Sequence, residues 1–310
     1  MSAVANRGRV RVTSRDRVLW PRTGFTKGEM IDYYHAISPA LLPHLRGRAL
    51  TLHRFPEGVD GPSWFQANCR GAPSWLAIHE VRGMRGETLR YCVVDDEAGL
   101  LWVANLGTIE LHPYLALAES PAEPTALVLD LDPGPPAGIL AAARVALLAR
   151  DLLDQVGLPS VVKTSGSLGV HVVVPLAPGH TFAATKAFAR GLADRLADAR
   201  PDLLVRSVSR TRREGRVFVD WVQNDRNRST VAAYSLRATP WPLVSTPVSW
   251  SEVVAAVERG DAAALRFTPG EVLARFADRG DLFAEALARS ATLLPRAPSG
   301  DQAGGVRGTG

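Results

Sequence analysis

Apolar positions recur in two periods along the 310-residue chain, and the switches between them outline its elements. Met30, Ile31, Tyr34 and Ile37 fall at helical spacing just after Thr26-Lys27-Gly28-Glu29, a capping-box pattern, so a helix opens there. Strands are predicted over Ala49–Phe55, Ser74–Val81 and Thr88–Val94, the last two joined by the turn Arg82–Gly86. A helix carrying Leu100, Leu101, Val103, Ala104 and Leu106 follows. Beyond it the pattern alternates. It gives a strand at Ala126–Asp130, a helix at Ile139–Val156, strands at Ser160–Thr164 and Val170–Pro175, a helix at Phe182–Ala197 and a strand at Arg216–Val222. Two more helices are expected near Ser251–Arg259 and Leu282–Leu293. Several strands lie too close in sequence for a crossover helix, so the fold class is α/β (α+β) with a mixed, partly antiparallel sheet flanked by helices. Residues 297–310 hold almost no apolar side chains and read as a disordered tail.

Composition narrows the class. With 46% hydrophobic and 22% charged residues the chain is globular, and no GxGxxG or GxxxxGK[ST] loop supports a dinucleotide or P-loop site. No apolar run reaches the roughly 20 residues of a membrane span, and the N-terminus lacks a signal-peptide core; a cytoplasmic location with no membrane partner is expected. Cys69 and Cys92 are too few for a disulfide framework and read as buried small hydrophobes. The net charge is +5, and 33 of the 36 basic residues are arginine, a skew that reflects genomic base composition more than function. The placement of the charge says more. Residues 1–50 carry nine basic groups against Asp16, Glu29 and Asp32, and Arg206–Arg228 carries seven arginines against Glu214, Asp220 and Asp225. Such blocks suit a polyanion such as nucleic acid; solvated arginine-rich faces are the equal alternative.

Three segments carry chemistry. In Leu127-Val128-Leu129-Asp130-Leu131-Asp132-Pro133 an apolar strand delivers two carboxylates at i and i+2, on one face and about 6–7 Å apart. Like charges so placed call for a hard divalent cation, and two such ions about 4 Å apart clamp the oxygens of phosphoryl transfer. Asp220, late in the apolar strand Val217–Trp221, is the candidate third ligand. An Asp-Pro turn alone explains the first pair; Asp220 tips the balance toward metal. The second segment, Lys163-Thr164-Ser165-Gly166-Ser167-Leu168-Gly169-Val170-His171, joins two short strands by a turn whose amides and hydroxyls suit phosphate, although a Ser-Gly hairpin is ordinary by itself. His112, in Glu110-Leu111-His112-Pro113, reads by itself as a structural histidine more readily than as a ligand. The third is Trp64-Phe65, expected on a loop outside helices and strands, where adjacent aromatics stack on bases or pack beneath the loop.

Taken in order, RFPEGVDGPSWFQAN, WVANLGTIELHPY, LVLDLDP, KTSGSLGVHVVVPL, VFVDWVQNDRNRSTVAAYSLRA and STPVSW resemble the polymerase domain of bacterial ligase D, a branch of the archaeo-eukaryotic primase superfamily, over about residues 10–290. The resemblance implies one primase-like domain over residues 1–296, with an N-terminal α/β, DNA-binding module at about 10–115 and a catalytic core at about 116–296. It implies a template-directed polymerase that adds nucleotides, preferentially ribonucleotides, to DNA ends or gaps in non-homologous end joining, with two Mn²⁺ or Mg²⁺ ions. Asp130, Asp132 and Asp220 then match the metal ligands. Ser165, His171, Arg237, His112 and His53 match positions around the incoming NTP or dNTP, and Trp64 and Phe65 match a template-stacking pair. Arg17 and Lys27 match basic residues that hold the 5′-phosphate beyond a gap, and the second sits at a helix N-terminus that itself favours an anion. Association with the nucleoid is implied as well.

Two departures stand out. Leu168 occupies the place of the usual lysine in SGSKG, and His53 that of a lysine before Arg54. Losing a triphosphate-facing cation weakens nucleotide binding by on the order of 1–3 kcal/mol. Leu168 thus supports an alternative, a DNA-end-binding module with weak or no polymerase activity. A DxD-dependent glycosyltransferase is a distant third that the basic surface does not favour. No KxDG ligase motif is present, so Ku and a separate ligase are the expected partners.

Overall fold

A computed structural model describes residues 9–82, 86–206 and 213–288. The expected tail at 297–310, most of the turn after Arg82 and part of the Arg206–Arg228 block lie outside the described residues.

Two antiparallel-dominated sheets carry the site, and residues of both line one cavity. The N-terminal sheet is built from β3 (Ala49–Arg54), β4 (Trp64–Gln66), β5 (Ala77–Arg82), β6 (Thr88–Val93) and β7 (Thr108–Pro113). β3 is its spine: it pairs with β7 along one edge and with β4 and β6 along the other. A small ribbon, β1 (Val18–Trp20) with β2 (Phe25–Thr26), leads into the helix α1 (Lys27–Leu45). That helix starts where the capping box put it, with Thr26 accepting from the Glu29 amide and Glu29 reaching back to Thr26. Met30, Ile31, Tyr34 and Ile37 are all buried along it, against the helix α2 (Glu97–Asn105) among others.

The second sheet has six strands in the order β11 (Leu204–Val205), β12 (Val217–Asp220), β8 (Ala126–Pro133), β10 (Val170–Pro175), β9 (Val161–Thr164) and β15 (Pro247–Val248). Among the described residues only the β11–β12 pair of this sheet is parallel, so the mixed sheet expected from the short connections is present, and β13 (Leu236–Ala238) with β14 (Pro242–Val244) forms a separate ribbon. Strand alternation puts Leu127, Leu129 and Leu131, all fully buried, on the face opposite the aspartates. The helices α3 (Ile139–Gln155) and α4 (Phe182–Ala199) pack on this sheet. Alanine and valine along α3 (Ala142, Ala143, Val145, Ala146, Ala149) let it lie close.

Four expectations are corrected. Trp64 and Phe65 belong to a strand and not to a loop, because the three-residue β4 closes on the free edge of β3. Cys69 and Cys92 are buried as expected but are joined as a disulfide. The segment after β4 lies on β6, where the Cys69 amide donates to the Arg90 carbonyl at 2.7 Å, and this brings the two Cα atoms to 5.2 Å. The strand expected to reach Val222 stops at Asp220, whose carboxylate accepts from the Val222 amide and starts a 3-10 turn at Trp221–Asn224. At 282–293 the described part is a 3-10 turn, Ala284–Leu287; the helix of this region lies earlier, in α6 (Pro269–Arg279), after α5 (Trp250–Arg259). Thr268 and Glu271 form a capping box for α6, a start signal that the sequence does carry.

Candidate active site

Register sets the site. Across the second sheet, Asp220, Asp130, His171 and Lys163 are successive register partners on β12, β8, β10 and β9, forming one row on one face. Asp132, two residues along β8, joins that face, and the three carboxylates bring ligand oxygens within 4.8 Å of one another. Asp130 and Asp132 line a cavity of about 780 Å³, and Phe65 and His112 of the N-terminal sheet line it as well.

The charges in this row are unequal. Burial pushes Asp132 up to about 6, and the neighbouring Asp130 charge adds to the push while Arg213 opposes it. Burial and Asp130 raise Asp220 as well. Asp130 is held below the usual carboxylate range, because His171, Lys163 and Arg237 outweigh its burial. The His171 Nε2 lies 3.2 Å from the Asp130 Oδ1, while burial and the Lys163 charge pull the imidazole down. Burial, then Arg237, lowers Lys163 to about 7; its ammonium donates to the Ser245 hydroxyl at 2.7 Å. Two adjacent carboxylates whose ionisation is resisted, next to a third that is ionised, fit a divalent cation, which would remove the repulsion. Asp130, Asp132 and Asp220 would hold it.

The glycine-serine turn closes on itself more than its composition suggests. The Ser165 hydroxyl accepts from the Ser167 and Gly169 amides at 3.2 and 3.0 Å, so two of the amides expected to face an anion are engaged. Gly166 is required here. Its φ is 71°, and a Cβ would sit 2.5 Å from the Arg237 Cγ and 2.7 Å from the Ser245 amide nitrogen. Leu168 projects at the turn's tip, 40% exposed, into the cavity. His171 faces Asp130 directly, and its buried Nδ1 has no partner among the described residues.

Opposite this row, the N-terminal sheet contributes a second cluster centred on Glu110, which sequence reasoning passed over. Its Oε2 lies 2.9 Å from His112 Nε2 and 3.2 Å from His53 Nδ1; its Oε1 accepts from the Ala238 amide and pairs with Arg237 at 3.2 Å. These partners overcome its burial and hold Glu110 well below the usual carboxylate range. Burial lowers His112 despite Glu110 beside it. Spacing could have exposed the cluster: Glu110 and His112 are i and i+2 on a strand, hence on one face. Arg213, 3.4 Å from Asp132 and set over the Phe218 ring, was also missed. As one of seven arginines in a basic block it carried no signal.

The remaining expected residues divide. Phe65 stacks on His53 with ring centroids 3.9 Å apart and edges His112 at 5.5 Å, inside the cavity. Trp64 is paired with Arg54, whose guanidinium lies 5.1 Å from its ring, and points to the other face of β4. The two aromatics are exposed, at 43% and 62%, but they do not share one surface. Arg17 and Lys27 form a separate cationic pair. The Arg17 guanidinium donates to the Pro56 carbonyl at 2.7 Å, and the buried Lys27 ammonium donates to the Thr13 carbonyl at 2.9 Å. Burial and then the Arg17 charge lower Lys27. Among the described residues no helix is long and apolar enough to cross a membrane.

Residues 26–283 match the family model for the LigD primase-polymerase domain. The chain is 37% identical over 287 residues to the multifunctional non-homologous end joining DNA repair protein LigD of Mycobacterium tuberculosis, a match covering 90% of this chain and 37% of that protein. It is 30% identical over 246 residues to the bifunctional non-homologous end joining protein LigD of Bacillus subtilis, covering 79% of this chain and 39% of that one. The chain thus spans under two-fifths of the length of these relatives. Its fold is similar to that of the polymerase domain from Mycobacterium tuberculosis ligase D in complex with DNA, with a TM-score of 0.82 at 35% identity over 91% of this chain and 99% of that chain.

Proposed function

Because the chain belongs to the LigD primase-polymerase domain family, a family of nucleotidyltransferases, we propose that it extends DNA ends or fills gaps by template-directed nucleotide addition during non-homologous end joining. The observation that carries this reading is the convergence of Asp130, Asp132 and Asp220, the first two of which line a cavity together with Ser165, His112 and Arg237.

A pair of Mn²⁺ or Mg²⁺ ions at the three carboxylates would supply positive charge to a triphosphate and to the attacking 3′-oxygen. The chain's own groups do the rest. His171 fixes the Asp130 carboxylate by its 3.2 Å contact and keeps it ionised. Arg237 and His112, held by Glu110 at 3.2 and 2.9 Å, would meet the triphosphate, with His53 held by the same carboxylate. The Ser165–Gly169 turn bounds the phosphates, with Leu168 in place of a cation. Phe65 offers a ring to a template base, and Arg17 with Lys27 receives the downstream 5′-phosphate, whose charge would offset the repulsion between those two cations. Ribonucleotides are the preferred substrates in this reading. Ku and a separate DNA ligase are its partners, and the nucleoid is its setting.

A primer-extension assay on gapped, 5′-phosphorylated DNA with NTPs or dNTPs, each with Mg²⁺ or Mn²⁺, tests the reading. Templated addition is expected, with NTPs preferred. DNA binding without addition under every condition would instead favour a DNA-end-binding module, the alternative that Leu168 supports.

A further inference from the structure

The Glu110 cluster has a chemistry that differs from the aspartates across the cavity. His53 and Glu110 are register partners on β3 and β7, and His112 follows Glu110 by two on the same face, so backbone pairing holds all three side chains together. One potential ligand atom from each of His53, Glu110 and His112 lies within 4.8 Å of the others, and Glu110 Oε2 is 3.2 Å from His53 Nδ1 and 2.9 Å from His112 Nε2. Ligand bonds of about 2.0–2.1 Å in a tetrahedral zinc site put neighbouring donor atoms roughly 3.3 Å apart. All three side chains are largely buried.

Two further features complete the setting. The second oxygen of Glu110 is anchored by the Ala238 amide at 3.0 Å and by Arg237 at 3.2 Å, an outer shell that would aim the first oxygen at a metal. His53 is packed against the rings of Phe65 and Phe55, at centroid distances of 3.9 and 4.3 Å. We propose that His53, Glu110 and His112 form a zinc-binding site, with His112 on the cavity wall and a fourth position left for water or a ligand. Two imidazoles and one carboxylate suit Zn²⁺ or Co²⁺ and are poor ligands for Mg²⁺, which favours the all-oxygen aspartate cluster. Binding requires the ring nitrogens that now face Glu110 to present lone pairs, which one of the two tautomers of each imidazole supplies. Zinc at this site would occupy His112 and His53 and so compete with a nucleotide. That consequence rests on the proposed function, whereas the binding itself does not.

The test uses the full chain, free of any affinity tag, carrying Asp130→Asn, Asp132→Asn and Asp220→Asn so that the aspartate cluster is silent. Titration with Co²⁺ should give one equivalent with the visible absorption of a four-coordinate ion, bleached by one equivalent of Zn²⁺. His53→Lys or His112→Gln on that background should each weaken Co²⁺ binding at least tenfold, with melting temperatures confirming the fold. No four-coordinate spectrum, or a spectrum unchanged in both variants, would overturn the site. Primer extension by the unmutated chain with Mg²⁺ is measured alongside, so failure of the zinc site and failure of the polymerase reading are told apart.

Discussion

Asp130 and Asp220 stand directly opposite each other on antiparallel neighbours, β8 and β12, so the backbone ladder, and not side-chain reach, fixes the spacing of their carboxylates. Asp132 joins them from the same strand as Asp130, and burial raises both Asp132 and Asp220. Asp→Asn at any of the three should therefore cut nucleotide addition about a hundredfold or more, equivalent to roughly 3 kcal/mol of barrier. Asp132→Asn should leave the melting temperature of the metal-free protein equal or higher, since it removes a charge its surroundings resist. Primer extension and thermal melting on the same preparations check this; full activity in Asp130→Asn would remove the metal assignment.

Phe65 and Trp64 should separate experimentally, because they point to opposite faces of β4. Phe65→Ala is expected to weaken binding of a templated primer by about 1–3 kcal/mol, the value of one stacked base, with little change in melting temperature. If Phe65 serves only to pack His53, the melting temperature falls and the affinity per folded molecule stays level.

Arg17 and Lys27 should make binding depend on a 5′-phosphate. Gapped DNA with the phosphate is expected to bind more tightly than DNA without it. Each cation removed from the phosphate should also reduce the log–log salt slope by about one unit. Equal affinities in Arg17→Ala, Lys27→Ala and the parent would exclude the pocket.

Leu168→Lys should lower the KM for nucleotide, most of all at low salt, since the residue is 40% exposed at the turn's tip and a charge there is readily screened. DNA affinity without nucleotide should not move. A raised KM would mean that leucine packs against a neighbour.

Acid stability provides a test away from the cavity. Glu252 caps α5 through the Ser249 amide and accepts from Arg275 at 2.6 Å and Arg279 at 3.0 Å, joining α5 to α6. Although burial would raise it, these partners bring it down to about 2 from an ordinary 4.5. A carboxyl lowered on folding stabilises fully above its unfolded pKa, and that stability is lost as pH falls from about 4.5 toward 2. Glu252→Gln should cost about 2 kcal/mol at neutral pH and flatten the acid limb of a denaturation-against-pH curve. An unchanged limb would show that the pair contributes nothing.

Much of this was legible in the chain because local rules decide it. The capping box at Thr26, the alternation that puts Asp130 and Asp132 on one face, and the register-forming apolar runs of β8 and β10 all follow from residues within a few positions of each other. What escaped depends on distant partners. Trp64 and Phe65 are in a strand only because β3 offers them an edge. Cys69 meets Cys92 only because the segment after β4 crosses β6. Glu110 gained its role from His53, 57 residues before it, and from Ala238, 128 residues after it, separations that no periodicity reports.

Those long separations bear on how the protein is made. The Tyr33 hydroxyl is held by the Tyr234 carbonyl 201 residues away, and Glu110 meets its guanidinium partner only when β13 (Leu236–Ala238) arrives. A chain emerging from its N-terminus therefore presents the first sheet long before the groups that finish it exist. Until then a carboxylate and two imidazoles share one face without Arg237 to balance them. Pairings of such range make folding slow and leave partly assembled surfaces open to association. The N-terminal sheet is thus completed only by partners that lie more than a hundred residues further along the chain, so the cavity its residues line depends on both halves being in place.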